Sequence, residues 1–139
     1  MSKYIDRAMA IRQAQGADGK PAFNCCQTVV AVFAEDLGYD EQTLLKAATY
    51  FRSGMQIGSV CGAITGGLMV LGLAGLSDAP TANGFFKRFR EAHEGMLNCK
   101  DLLRVNAERG GAKGPHCNAM ICESIGYLES ILREQGKID

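Results

Sequence analysis

SGMQIGSVCGAITGGLMVLGLAGLS, Ser53 to Ser77, is the stretch whose reading decides the fold. It carries no charge, and from Val60 to Leu76 it is almost wholly apolar, so a membrane span is the first thought. The glycines argue against it. Seven lie between Gly54 and Gly75, lowering both hydrophobicity and helix propensity, and no polybasic flank orients the segment. A buried central helix from near Ser59 to Gly75 is the better account. Gly54, Gly58, Gly62 and Gly66 recur every four residues. If all four are helical they make a smooth stripe that another backbone can approach, although Gly54 and Gly58 equally suit the preceding turn.

Outward from this segment the pattern stays helical. Ser2 caps a helix over Lys3 to Gln15, broken by Gly16 to Gly19. Pro21 and Asn24 open a second that stops at Gly38, and Asp40 caps a third, Glu41 to Arg52. After the break at Ser77 to Thr81 come helices over Ala82 to His93 and Asn98 to about Glu108, then a linker, Arg109 to Pro115. The last helix, Cys117 to Gln135, puts Cys117, Ile121, Ile125, Leu128 and Leu132 on one arc, because each residue turns by about 100°. No strand-like alternation, repeat or low-complexity tract appears. The expectation is an all-α protein: a compact bundle of six to seven helices with a Gly-rich central helix, forming a single domain over residues 1–139.

Composition narrows the function. A hydrophobic fraction of 47% in 139 residues can bury a core without disulfide staples. Fifteen basic and fifteen acidic residues cancel and no Lys/Arg cluster stands out, so nucleic acid is not an expected partner. The first residues, MSKYIDRAMAIRQ, interrupt with charge the apolar run that a secretion signal needs. A cytoplasmic location is expected, with no membrane span. Six Cys are too few for a disulfide scaffold, and a reducing compartment keeps ordinary thiols unpaired. Their work is then metal binding, reversible redox chemistry or plain packing.

Four of the six share a placement. Cys25 follows Asn24, Cys61 follows Ser59 by two, Cys99 follows Asn98 and Cys117 follows Gly114-Pro115, so each can occupy the first turn of its helix. Unpaired backbone N–H groups there favour thiolate over thiol. Each also falls among apolar residues on a core-facing side, so four helices aim one sulfur each inward. Cys26 and Cys122 lack the helix-start placement. Against this stands the high baseline burial of free Cys, which behaves as a small hydrophobe.

With its cysteines laid out this way, the chain resembles the putative redox-active C-GCAxxG-C-C family of small helical proteins. The carriers are Asn24-Cys25-Cys26-Gln27, the motif from Gly58 through Cys61 to Gly66, Gly67 and Gly72, then Asn98-Cys99, and His116-Cys117-Asn118. The match runs over nearly the whole chain after residue 20. It departs from the pattern in reading Cys61-Gly62-Ala63 for Gly-Cys-Ala, and in the extra Cys26 and Cys122. The resemblance implies that Cys25, Cys61, Cys99 and Cys117 are the family cysteines. The family is similar in turn to the helical portion of split-Soret cytochromes, which implies an iron–sulfur cluster as one cofactor to test. No Cys-x-x-Cys-His occurs, which excludes covalent c-type haem.

Several chemistries remain open. A cluster asks for four thiolates on one site, suiting electron transfer, yet the sequence has none of the close Cys pairs of ferredoxins. Zinc takes the same ligands but usually as paired knuckles, absent here; His116 is an alternative nitrogen ligand, as Cys26 and Cys122 are alternative sulfurs. Thiol–disulfide cycling needs two sulfurs, and Cys25 with Cys61 is the pair to test first. A non-enzymatic domain, with packing Cys and the glycine stripe as a dimer seam, is the contrasting class. The reading is an oxidoreductase or electron carrier, expected as a homodimer, whose redox partner the sequence does not name. Glu91, Glu94, Asp101 and Glu123 suggest no paired-carboxylate site, and Gly62 to Gly67 lacks the Lys of a phosphate loop.

Overall fold

The structure, a computed structural model, describes residues 2–139 and is all-helical. Among the described residues seven α-helices follow in order: α1 Lys3–Gln13, α2 Cys25–Ala34, α3 Glu41–Ala47, α4 Gly62–Leu73, α5 Ala79–Ala92, α6 Cys99–Glu108 and α7 Lys113–Glu134. A one-turn π-type loop, Gly54–Gly58, joins α3 to α4. Among the described residues there is no strand, only two isolated antiparallel bridges, Gln15 with Pro21 and Val60 with Asn98. No described helix is long and apolar enough to cross a membrane; α4, the membrane suspect, has 12 residues where a span needs about 20.

Capping chemistry explains most of the helix starts. The Ser2 hydroxyl accepts from the N–H groups of Tyr4 and Ile5, and Asp40 and Asp78 do the same for Thr43 and Thr81. At α2 the cap is reciprocal: Asn24 accepts from the Gln27 N–H, and Gln27 accepts from the Asn24 N–H. Such a capping box is worth about 1 kcal/mol and fixes where α2 begins.

Several boundaries differ from expectation. Helix α5 starts at Ala79 because Asp78 is the cap. Helix α7 starts at Lys113, four residues before the expected Cys117; Pro115 fits the first turn, where its missing N–H costs no helical bond. Helix α3 stops at Ala47. Helix α4 begins only at Gly62, because Ser59 and Cys61 have non-helical backbone and Val60 bridges to Asn98; upstream, Ser53, Gly54, Met55, Gln56 and Gly58 all have positive φ and cannot belong to a right-handed helix. Three of these five are not glycine, at roughly 1–2 kcal/mol each. The four-residue glycine stripe therefore divides, with Gly54 and Gly58 in the loop and Gly62 and Gly66 in the helix.

Helix α2 is the centre of the packing, with every residue from Thr28 to Ala34 buried. It lies chiefly against α4 and also touches α1, α3 and α7. Gly66 makes the α2–α4 approach possible: a Cβ there would lie 3.0 Å from both the Cys26 carbonyl oxygen and Val29 Cβ. Helix α7 presents the expected arc, with Ile121, Ile125, Leu128 and Leu132 fully buried. The Ser124 hydroxyl donates to the Ala63 carbonyl at 2.7 Å, tying α7 to α4. Phe85, Phe89 and Tyr127 meet edge to face at 5.0–5.1 Å, and Tyr4 stacks on Phe33 at 4.4 Å. Each buried aromatic contributes on the order of 1.5–3 kcal/mol. This packing closes the interior on one side of α2 and leaves the N-terminal ends of α2, α4 and α6 facing a cleft.

Candidate thiol site

The cleft has a volume of about 830 Å³, and Cys25, Cys61, Cys99 and Cys117 all line it. Local structure accounts for each position. Cys25 is the first residue of α2, placed by the Asn24 capping box. Cys61 is the N-cap of α4 and Cys99 the first residue of α6. These two are held together by a short backbone ladder: the Cys61 N–H donates to the Leu97 carbonyl at 2.9 Å, and the Cys99 N–H to the Ser59 carbonyl at 2.6 Å. Cys117 is the fifth residue of α7, because that helix begins at Lys113. Its expected first-turn position is thus corrected to the second turn.

Cys25 is the hub. A Cβ built on Gly62 would lie 2.4 Å from its Sγ, so the sulfur occupies the space a side chain at position 62 would fill, beside Cys61. The charge of a Cys25 thiolate reaches Cys61, Cys99 and Cys117 and raises the pKa of each. Cys61 is buried; the other three are half-buried.

At Cys61 the helix-start argument for a thiolate is outweighed. Burial pushes the Cys61 thiol up to about 12, with the Cys25 charge adding and the N–H groups of Ala63 and Ile64 opposing. Those N–H groups act in the expected sense, but desolvation is larger. Cys99 and Cys117 are also raised, first by burial and then by Cys25; Lys113 opposes at both and Arg12 at Cys117.

The two extra cysteines are elsewhere. The sulfur of Cys26, fully buried, lies 3.7 Å from Met69 Sδ, and that of Cys122 lies 3.9 Å from Met9 Sδ. Neither lines the cleft. His116 does, half-buried, its pKa lowered by burial and by nearby His93 while Glu123 opposes. His93 pairs with Glu123 at 2.7 Å, and the Tyr127 hydroxyl donates to Glu123 at 2.6 Å.

All six cysteines are free thiols. Four Cys are the donor type that iron–sulfur clusters and zinc take. Among the described residues, however, no three or more His, Cys, Asp or Glu are gathered so as to hold a metal ion. The donor chemistry therefore suits such a centre, while the thiols as placed are not gathered around a single ion.

Sequence reasoning missed the basic lining. Arg12, Lys20, Arg52 and Lys113 border the cleft, and no Asp or Glu does. They come from α1, two loops and the start of α7, so nothing in their spacing groups them. The glycine stripe, read as a candidate dimer seam, is occupied within the chain: Gly54 meets the Ser59 backbone, Gly58 the Lys100 side chain, Gly62 Cys25 and Gly66 α2.

No curated protein and no solved structure matches this chain. A family profile does: the one described as putative redox-active protein (C_GCAxxG_C_C) matches residues 23–131, a span that contains the four cleft cysteines. On that match the chain belongs to the C_GCAxxG_C_C family of putative redox-active proteins.

Proposed function

We propose that this chain is a single-domain redox protein that works by thiol–disulfide cycling in the cleft, with Cys25 as the attacking sulfur and Cys61 as its partner. The observation that carries the reading is the seat of Cys25 Sγ against Gly62, next to Cys61, at the edge of an open cleft. Cys25 is the reachable member of the pair and Cys61 the buried one.

The chemistry balances with a disulfide as the oxidant. The Cys25 thiolate attacks one sulfur of R–S–S–R, forming a mixed disulfide and releasing R–S⁻. That step removes the negative charge from Cys25, and with it one of the two main causes that raise the Cys61 pKa. Cys61 then loses its proton to solvent or to the released thiolate. Its sulfur attacks Cys25, forming the intramolecular bond and releasing the second R–S⁻. Two protein thiols are oxidised and one external disulfide is reduced to two thiols.

A second reading, an iron–sulfur cluster, is favoured by the number of sulfurs: four family cysteines share the cleft where a disulfide needs two. Cys25, Cys61, Cys99 and Cys117 would hold it, and it would supply one-electron transfer. The homodimer expected from sequence would use a face other than the glycine stripe, which is filled internally.

Anaerobic purification followed by iron, zinc and acid-labile sulfide analysis, with thiol counts before and after exposure to a small disulfide, tests the proposal. The expected result is metal-free protein that loses two thiols on oxidation and regains them on reduction, with a Cys25–Cys61 cross-link in the peptide map. Stoichiometric iron and sulfide would overturn it in favour of the cluster. Six thiols surviving oxidation in metal-free protein would defeat both readings.

A further inference from the structure

The chain has no net charge, yet the cleft is charged with one sign. Arg12, Lys20, Arg52 and Lys113 line it without a carboxylate among the lining residues. Elsewhere on the molecule basic side chains meet acids: Lys3 and Arg7 with Asp36, Arg104 with Asp101, Arg133 with Glu129. None of the cleft cations forms a salt bridge among the described residues. Arg12 is fixed by neutral acceptors only, the Asn118 side-chain oxygen at 2.8 Å and the Phe23 carbonyl at 2.9 Å. Asp18, close to Lys20 in sequence, accepts from the Lys20 backbone N–H rather than neutralising its ammonium.

A cleft that gathers unpaired cations on low-dielectric walls raises the local concentration of anions and speeds their encounter. Three of the four cations are exposed, so they can move to meet a ligand, while Arg12 is half-buried and held in place. The cations surround the thiol edge of the cleft: the charges of Arg12 and Lys113 both reach Cys117, and Lys113 also reaches Cys99. The cleft volume of about 830 Å³ leaves room for a ligand of many atoms, and half-buried Phe23 and exposed Tyr50 give it apolar surface beside the charge.

From this lining we infer that the substrate of the thiol site is a small anionic disulfide, one whose two halves each carry a carboxylate. This rests on the thiol–disulfide reading above and adds the charge class of the molecule that Cys25 attacks. The carboxylates pair with Lys20, Arg52 and Lys113 at the mouth and bring the disulfide sulfurs to Cys25. Transfer of electrons follows the balanced exchange already given, releasing two carboxylate-bearing thiols. The leaving thiolates are anionic too, so the same cations stabilise charge as it develops on the departing sulfur.

Two experiments test the inference, and only the second needs the cysteine pair to cycle. In the first, Cys25 of the intact protein is alkylated with iodoacetate and with iodoacetamide, reagents that differ in charge, and the rate ratio is read by mass spectrometry at that residue. The expected ratio favours iodoacetate by about tenfold relative to the same ratio for an unstructured cysteine peptide. It falls toward the peptide value in 1 M salt and in the Lys20→Gln/Arg52→Gln protein, and is unmoved by Lys87→Gln, whose side chain pairs with Glu91 away from the cleft. In the second, the rate of protein disulfide formation is compared for dithiodipropionate, hydroxyethyl disulfide and cystamine, which carry negative, zero and positive charge, each rate divided by that of the same disulfide with an unstructured cysteine peptide because the leaving thiols differ in pKa. The expected order is negative, then neutral, then positive, over a range of about tenfold or more. A ratio equal to the peptide's, or a cystamine rate matching that of dithiodipropionate, overturns the inference while leaving thiol cycling intact. An iodoacetate preference with no protein disulfide formed from any of the three overturns the cycling reading, and the substrate assignment with it.

Discussion

Two regions on either side of α2 use the same residue types to opposite ends. In the interior Cys26 is sealed against Met69, Gly66 lets α2 and α4 close together, and at the α1 rim Lys3 and Arg7 share Asp36. In the cleft Cys25 is half-buried beside Gly62, and Arg12, on the same helix as Lys3 and Arg7, has no acidic partner among the described residues. A thiol, a glycine and a basic side chain are structural where their neighbours satisfy them. Where their neighbours leave them open, they are available for chemistry. Adjacent residues Cys25 and Cys26 divide this way because one helical step turns the side chain by about 100°.

The largest expected effect breaks the interior. In Gly66→Val the Cβ would press on the Cys26 backbone oxygen and on Val29, and neither the carbonyl nor the buried valine is the free end of a flexible chain. Separating α2 from α4 should cost about 3 kcal/mol, seen as a drop of roughly 10 °C in thermal denaturation. An unchanged melting temperature would mean that the two helices do not pack as described.

A smaller effect sharpens the contrast between the neighbouring cysteines. Cys26→Ala leaves a small void beside Met69 and should cost about 1–2 kcal/mol, with the protein still losing two thiols to a disulfide oxidant. Cys25→Ser should cost less than about 1 kcal/mol, since the site already opens to solvent, and should abolish that thiol loss. Chemical denaturation and thiol counting on the pair of variants check both halves. Equal thiol loss in the two proteins would show that the cleft and the interior do not divide the sulfur chemistry.

The parts of this molecule legible in sequence are those set by local rules. Ser2, Asn24 and Asp40 are capping signals, and the α7 arc is a periodicity; each survives with its residues in place. The four cysteines that line the cleft were legible from the family motif, and helix starts mark three of them, Cys25, Cys61 and Cys99, whereas Cys117 sits in the second turn of α7. What escaped depends on distant residues or on left-handed backbone. The turn through Ser53, Met55 and Gln56 has no local signal, since those residues rarely adopt positive φ. The basic lining joins residues about 100 positions apart, Arg12 and Lys113, which only the α1–α7 packing brings to one cleft. The pKa directions escaped for a related reason. Helix-start stabilisation is readable from sequence, whereas the burial that outweighs it at Cys61 is a property of the assembled fold.

The smallest expected effect concerns the paired cations. The carboxyl of Asp36 is held below its ordinary range, first by the Tyr4 hydroxyl, which donates to it at 2.5 Å, with burial opposing and Lys3 and Arg7 adding. A carboxyl with a lower pKa in the folded protein than in the unfolded chain binds fewer protons when folded. Its contribution is therefore complete above the unfolded value near 4, and fades as pH falls through the lower folded value. Removing the charge in Asp36→Asn should cost roughly 1 kcal/mol at neutral pH, because Asp36 and its basic partners are partly in water. The same variant should lose less stability than the parent between pH 5 and pH 3, so the two denaturation curves converge in acid. The cleft cations have no carboxylate to protonate, so Lys20→Gln/Arg52→Gln should leave the acid limb of the stability curve parallel to the parent's. Denaturant midpoints measured across that interval check both statements. A Lys20→Gln/Arg52→Gln protein whose curve converged with the parent's in acid would place an undetected acidic partner in the cleft, and would erase the difference between the two regions.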